Sequence, residues 1–274
     1  MTLRDLDSIA DYDAVVRLQR AIWGETCDDI VPRSVFVVAV KTGGILIGAE
    51  DDLGQLVGFV FSVPALRHGK LIQWSHMLGV TPAARGQALG LRLKLAQRDR
   101  ARQRGIDLVE WTYDPLLAAN AHLNVRRLGA VVESYLDDAY GPSISPLHGE
   151  LPTDRVIASW HVESPHVARR VEAGALIARD AGVSQAHHVL PTREDGGFRV
   201  PHGEPDLSRD EPRLRVEIPA DFARMLTEAP DAALAWRHTA RRVFHTYFAH
   251  GYRVVDVDAD PGGPRPSYLL ALRP

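Results

Sequence analysis

The residues whose types and spacing suit chemistry lie in one run, His76-Met77-Leu78-Gly79-Val80-Thr81-Pro82-Ala83-Ala84-Arg85-Gly86-Gln87-Ala88-Leu89-Gly90-Leu91-Arg92-Leu93-Lys94. An apolar strand runs into a tight loop of small residues and then into a helix. The first N–H groups of a helix have no intrahelical partner, and the macrodipole adds partial positive charge at the same end. Main-chain donors in such a place hold a phosphate or diphosphate, and small residues permit its close approach. Arg85, Arg92, Lys94, Arg98, Arg100, Arg102 and Arg104 accompany a single acidic residue, Asp99, along the helix. Some of these cations suit pairing with phosphates, and the others form a solvated face.

Rossmann and P-loop proteins also place such a loop between strand and helix. Here Gly-x-Gly-x-x-Gly is absent and no Gly-Lys-Ser or Gly-Lys-Thr follows, so neither a dinucleotide nor a nucleoside triphosphate is favoured. The chain has 12 histidines but no His-Glu-x-x-His. The doublet His187-His188 has no cysteine or carboxylate at ligand spacing, so no metal is expected. Without Gly-x-Ser-x-Gly, serine-hydrolase chemistry has no support.

The elements that must position this run follow from periodicity. Residues 2–6 form a short strand. Ile9, Tyr12, Val15, Val16, Leu18 and Ile22 recur at helical intervals, which predicts a helix over 8–23. Glu25, Asp28 and Asp29 lie in a polar loop, and a second helix begins at Pro32, where proline costs little. Asp51-Asp52-Leu53-Gly54 turns a hairpin of strands 45–49 and 56–63. A strand over 71–80, a helix over 82–105 and a strand over 106–113 make a strand-helix-strand unit whose two strands run parallel.

Asp114-Pro115 reads as a cap and first turn for a helix over 118–128, which Gly129 ends. Strands 131–136 and 155–162 complete an α/β unit of ordinary domain size. Residues 193–213, dense in Pro, Gly and charge, read as a linker or long surface loop. A strand over 214–218, a helix over 231–250 and strands 252–257 and 268–272 follow. The helix carries a stripe of Trp236, Ala240, Val243, Phe244, Tyr247 and Phe248, which reads as core packing rather than a cofactor box. The expected division is 1–162, a connecting segment 163–213, and a C-terminal region 214–274.

The run Arg85-Gly86-Gln87-Ala88-Leu89-Gly90 resembles motif A of the GNAT (GCN5-related N-acetyltransferase) superfamily: Arg or Gln, any two residues, Gly, any residue, then Gly or Ala. Ala88 replaces the first of that pattern's glycines. The order of elements over 2–162 agrees with the family as well. Asn120-Ala121-His122-Leu123-Asn124-Val125-Arg126-Arg127-Leu128-Gly129-Ala130 is similar to its second coenzyme A segment. More narrowly, Trp23-Gly24, Pro32-Arg33, His76-Met77-Leu78-Gly79-Val80, Leu93-Lys94-Leu95-Ala96-Gln97-Arg98, Trp111-Thr112-Tyr113-Asp114-Pro115-Leu116 and Leu151-Pro152-Thr153-Asp154-Arg155 resemble a bacterial branch of predicted GNAT acyltransferases.

The resemblance implies an α/β (α+β) GNAT fold: a mixed central sheet with splayed parallel strands, flanked by helices. The region 214–274 is then either a degenerate second GNAT-like lobe or an extension packed on the first. The implied activity is acyl transfer from acetyl-CoA, or a larger donor such as succinyl-CoA, to an amine in a ternary complex. By the same resemblance, Arg85, Gly86, Gln87, Ala88, Leu89 and Gly90 hold the coenzyme's diphosphate. Asn120 reaches the pantetheine arm, and Asn124 belongs to the same segment. Backbone N–H groups at Leu78, Gly79 and Val80 face the thioester carbonyl. Ala88 fits its role with a negative φ, as a helix start gives.

An ammonium acceptor must lose a proton, which calls for a base near the strand opening. His76 is the first candidate, since its ordinary pKa lies near neutrality. Glu110 and Asp114 are alternatives, whose structural roles would be ion pairing and helix capping. Many GNAT members carry a tyrosine four residues before the helix-ending glycine as the acid for the leaving thiolate, but this chain has Val125 there. Either Tyr113, Tyr135 or Tyr140 substitutes, or the thiolate leaves unassisted, a thiol pKa being about 8.5.

Composition narrows the partners. The formal net charge of −3 argues against a general nucleic-acid binder. A single cysteine, Cys27, permits no intramolecular disulfide. The N-terminal residues lack a signal-peptide pattern, and no apolar run approaches the roughly 20 residues that cross a bilayer, so a cytoplasmic protein without membrane association is expected. The expected partner is a small-molecule amine, amino acids included, with the chain a monomer or homodimer. The competing reading is a catalytically silent GNAT-like module that binds acyl-CoA as a sensor or scaffold, which Ala88 and Val125 favour.

Overall fold

A reciprocal cap separates the first strand from the first helix. The Ser8 hydroxyl accepts from the Asp11 N–H, and the Asp11 carboxylate accepts from the Ser8 N–H. In the computed structural model, which describes residues 1–274 except 26, 28, 142–150, 175–185, 259–264 and 273–274, the chain forms two compact units. One comprises Met1–Trp111 with His161–Ser164, the other Thr112–Trp160 with Pro165–Pro274. Asp28 of the expected acidic loop lies outside the described residues.

The first unit runs β1 (Thr2–Asp5), α1 (Ile9–Trp23), α2 (Arg33–Lys41), β2 (Ile45–Glu50), β3 (Leu56–Arg67), β4 (Lys70–Val80), a 3₁₀ turn (Pro82–Ala84), α3 (Leu89–Gln103) and β5 (Leu108–Tyr113). Its strands lie in the order β1-β2-β3-β4-β5, with antiparallel pairing except for the parallel β4–β5 step. Successive β3 side chains face opposite ways, so β3 serves two layers. Phe59 and Phe61 join Leu6, Tyr12, Val15 and Phe36 in the α1–α2 core. Gly58 lies against Leu89 and Leu93 of α3, whose methyls would be 3.3 Å from any Cβ placed there.

The second unit begins with α4 (Ala118–Ala121), which passes into a π-helical turn (His122–Arg127). There follow β6 (Val131–Leu136), β7 (Arg155–His161), α5 (Pro165–Ala173), β8 (His187–His188), β9 (Thr192–Asp195), β10 (Phe198–Pro201), β11 (Arg213–Glu217), α6 (Phe222–Glu228), α7 (Pro230–Ala249), β12 (Tyr252–Asp258) and β13 (Ser267–Leu272). The strand order is β7-β6-β12-β13-β11-β8, so the 214–274 region shares one sheet with β6 through Val132 and Val254. Trp236, Val243, Phe244 and Tyr247 of α7 are fully buried, and the aromatic stripe is core. Among the described residues no helix is long and apolar enough to cross a membrane.

Two expectations are corrected here. The 193–213 stretch holds a hairpin, β9–β10, because Gly196 and Gly197 supply the two positive φ values, +56° and +80°, of a tight turn. Asp114-Pro115 does not cap the next helix, whose N-cap is Leu117. Asp114 instead accepts from the Leu116 N–H and forms a buried bidentate pair with Arg237, at 2.8 and 2.6 Å.

Candidate active site

The two parallel strands of the first unit part company. They pair only at Gln73↔Val109 and Trp74↔Glu110. From Ser75 to Val80, β4 keeps its β3 partners except at His76 and has none on β5. A bulge falls at the start of this stretch: Phe61 faces Met77 and Ser62 faces Ser75, which makes His76 the extra residue on β4. Bulges of this kind bend the strand and re-aim a side chain. The His76 ring lies edge-on to Phe61, with centroids 6.2 Å apart. Its surface is exposed, yet protein atoms around the bulge desolvate the imidazolium and lower the pKa from its ordinary value, while Asp29 opposes the shift. Such an imidazole is neutral at pH 7 and ready to accept a proton.

The strand ends in the small-residue loop, and here the structure departs from the expected helix over 82–105. The 3₁₀ turn stops at Ala84, and α3 begins only at Leu89. Gly86 has φ +79° and Ala88 has φ +54°, which no continuous right-handed helix allows. The negative φ expected for Ala88 is therefore corrected: it is a left-handed N-cap with no side-chain cap bond. Arg85 has φ −69° and Gln87 is not among the positive-φ residues, so the sign of φ alternates along the loop. The amides that follow open α3, and the N-terminal end of a helix favours anions. Among the described residues, no protein group accepts a hydrogen bond from the N–H of Gly86, Gln87, Ala88, Leu89, Gly90 or Leu91.

Most of the cations along α3 are spoken for. Arg92 donates to the Met1 carbonyl, Arg98 to that of Val162, and Arg104 to those of Gly43 and Gly44. Arg100 pairs with Asp5 and Arg102 with Glu163. Arg85 is exposed beside the loop, with Nε directed at the Val80 carbonyl at 3.3 Å. Any anion at the loop is thus met chiefly by main-chain donors.

Leu78, Gly79 and Val80 all lie on the stretch of β4 that β5 leaves unpaired. Gly79 is glycine for packing: a Cβ would meet Ile22 and Phe59 at 2.9 Å and Trp23 at 3.2 Å. Glu110 is buried and paired with Arg67 at 3.0 Å, at the register where the strands are still joined. Lys94, expected to be a phosphate partner or part of a solvated face, is instead buried beneath the parting strands and contacts Ser75, Gln97 and Trp111. Its position between Leu93 and Leu95, both on α3, was the available signal.

Tyr135, Asn120 and Asn124 belong to the second unit. Asn120 is half-buried on α4, and Asn124 is buried in the π-helical turn, a distortion often found at functional sites. Val125 is fully buried. The Tyr135 hydroxyl donates to Asp154 at 2.8 Å, and its pKa is pushed well up by burial first and then by the Asp154 charge. A phenol held in that way is a poor acid for a thiolate. Burial also raises the Tyr113 pKa, whereas Tyr140 is exposed and shares a hydrogen bond with Thr112 at 2.7 Å. In the first unit, a cleft of about 470 Å³ bordered by Arg4, Asp11, Arg17 and Thr81 lies along α1 and the β2–β3 turn.

The parted parallel strands are the feature that the GNAT resemblance led one to expect for the first unit, and the bulge at His76 is an addition to it. In fold the chain is similar to GNAT acetyltransferases. No family model matches it, and no curated protein does. Among solved structures it is similar to an aminoglycoside 6′-acetyltransferase type Ii, at 20% identity over 60% of this chain and 99% of that one, with a TM-score of 0.47. A putative GNAT-family acetyltransferase from Desulfovibrio desulfuricans is 17% identical over 59% of this chain and 98% of its own, with a TM-score of 0.44. A putative acetyltransferase from Salmonella typhimurium, solved with its cofactor acetyl-CoA, is 19% identical over 66% of this chain and 98% of its own, with a TM-score of 0.46.

Proposed function

We propose that the chain is an acyl-CoA dependent N-acyltransferase of the GNAT type, acting on the amine of a small molecule, amino acids included. The observation that carries this reading is the conjunction of six acceptor-free amides at 86–91 with the parted stretch of β4 that leads into them. The amides and Arg85 bind the diphosphate, and the parted strands admit the pantetheine arm. Bound acyl-CoA supplies the thioester to be attacked.

His76, presented by the bulge and neutral at pH 7, takes the proton from the incoming ammonium, directly or through one water. Main-chain N–H groups at Leu78, Gly79 and Val80 stabilise negative charge developing on the acyl oxygen. Holding donor and acceptor side by side removes part of the entropic barrier. The thiolate leaves without a tyrosine acid, since Val125 has no proton to give and Tyr135 is bound to Asp154.

Those last two observations also favour the second reading, an acyl-CoA-binding module that does not turn over. Calorimetric titration with coenzyme A, acetyl-CoA and succinyl-CoA, followed by thiol release with a panel of amines, separates the two. Turnover supports the enzyme. Binding without turnover across the panel supports the silent module, and absence of binding refutes both.

A further inference from the structure

Lys94 is the most deeply buried cation of the first unit, with 2% of its surface exposed. Taking an amine out of water is costly, and a leucine or methionine at this helix position would avoid that cost. Three of the contacts that place the side chain bear on the strands and on α3. Nζ donates to Ser75 Oγ at 3.0 Å and to Gln97 Oε1 at 3.0 Å, and it lies 3.4 Å from the centroid of the Trp111 ring. Burial lowers its pKa well below that of an ordinary lysine.

The two strand contacts fall at one particular step. The last β4–β5 pair is Trp74↔Glu110. Ser75 and Trp111 are the next residues on β4 and β5, the first to be without ladder partners across the gap. Lys94 therefore spans the strands where direct pairing stops, replacing ladder hydrogen bonds with a longer bridge from α3. The same helix begins at Leu89, where the anion-binding loop ends. One rigid element thus carries the loop at its start and the bridge just over one turn later.

We infer that Lys94 is a positioning residue, a strut that holds β4 and β5 at the separation needed to admit the pantetheine arm. The inference rests on the coenzyme A reading given above. It deepens that reading by assigning the opening of the strands to one side chain that touches neither the diphosphate nor the reacting atoms. Removing the strut lets the strands close or drift, and the arm loses its channel while the loop keeps its anion.

The test compares coenzyme A with adenosine 3′-phosphate 5′-diphosphate, which has the diphosphate but no pantetheine arm. Calorimetry is run on wild type, Lys94→Met and Ser75→Ala, with circular dichroism as the check on folding. Lys94→Met is expected to bind the armless nucleotide as wild type does and coenzyme A at least about tenfold more weakly, as befits loss of a buried hydrogen-bonded bridge. Ser75→Ala is expected to show a smaller loss of the same pattern. Equal weakening of both ligands, or no weakening of coenzyme A, overturns the strut. Should Lys94→Met fail to fold, Ser75→Ala decides by the same criterion. If wild type binds neither ligand, the coenzyme reading itself fails and the strut falls with it; if wild type binds both and the variants behave alike, only the strut falls.

Discussion

Replacing Ala88 by glycine should make the protein more stable, contrary to the effect of glycine inside a helix. Ala88 has φ +54° and ψ 21°, and its side chain is exposed and makes no cap bond, so its methyl contributes little packing. An L-residue in the left-handed region costs about 1–2 kcal/mol. Glycine escapes that cost but gives up about 0.5–1 kcal/mol through the greater freedom of the unfolded chain. The difference is a net gain of roughly 0.5–1 kcal/mol, or an increase in Tm of about 1–4 °C for a protein of this size. Thermal melts of wild type and Ala88→Gly in one buffer read this directly. Ala88→Val should move the other way, because a β-branched residue is a true outlier at that φ. A glycine variant no more stable than wild type would mean that residue 88 is not left-handed and that the alternating loop is wrong.

Arg237→Met should cost up to about 3 kcal/mol by removing the bidentate partner of the buried Asp114 carboxylate, which keeps only Arg155 at 3.9 Å, and Arg237→Met with Asp114→Leu should recover part of it, as urea midpoints would show. A single variant with wild-type stability contradicts the buried pair. For His76, the base form is the neutral ring, so kcat/KM should be full above its pKa and fall as pH drops through it. Because desolvation lowers that pKa, the midpoint should lie below the ordinary value of about 6.5. The pH profile of His76→Ala should lack this limb; its persistence would remove His76 from the mechanism.

The sequence was legible where periodicity and turn chemistry are local. The stripe from Trp236 to Tyr247, the Asp51–Gly54 turn and the strands on either side of α3 were all readable, because burial repeats at fixed intervals along one element. The loop at 85–88 was recognisable as an anion site from its small residues, but its shape was not. Gly86 can take either sign of φ and Ala88 is a good helix former, so only the path of the chain into α3 decides that both are positive. The bulge at His76 was equally hidden, because register belongs to the β3–β4 pair and not to either strand alone. The Gly196-Gly197 hairpin did carry its own turn signal, masked by the surrounding charge. Lys94 looked like one more cation on a solvated face, and its burial follows from the strands beneath it rather than from its neighbours in the chain.

The most direct test of the account reads the amides themselves. In ¹⁵N–¹H spectra of labelled protein, addition of coenzyme A should move the signals of Gly86, Ala88, Leu89 and Gly90 strongly, as groups that gain a charged acceptor, and Ala88→Gly should preserve that response at the other three. Signals at 86–91 that stay in place while coenzyme A binds elsewhere, or that do not respond at any concentration, would contradict the claim that this loop grips a diphosphate.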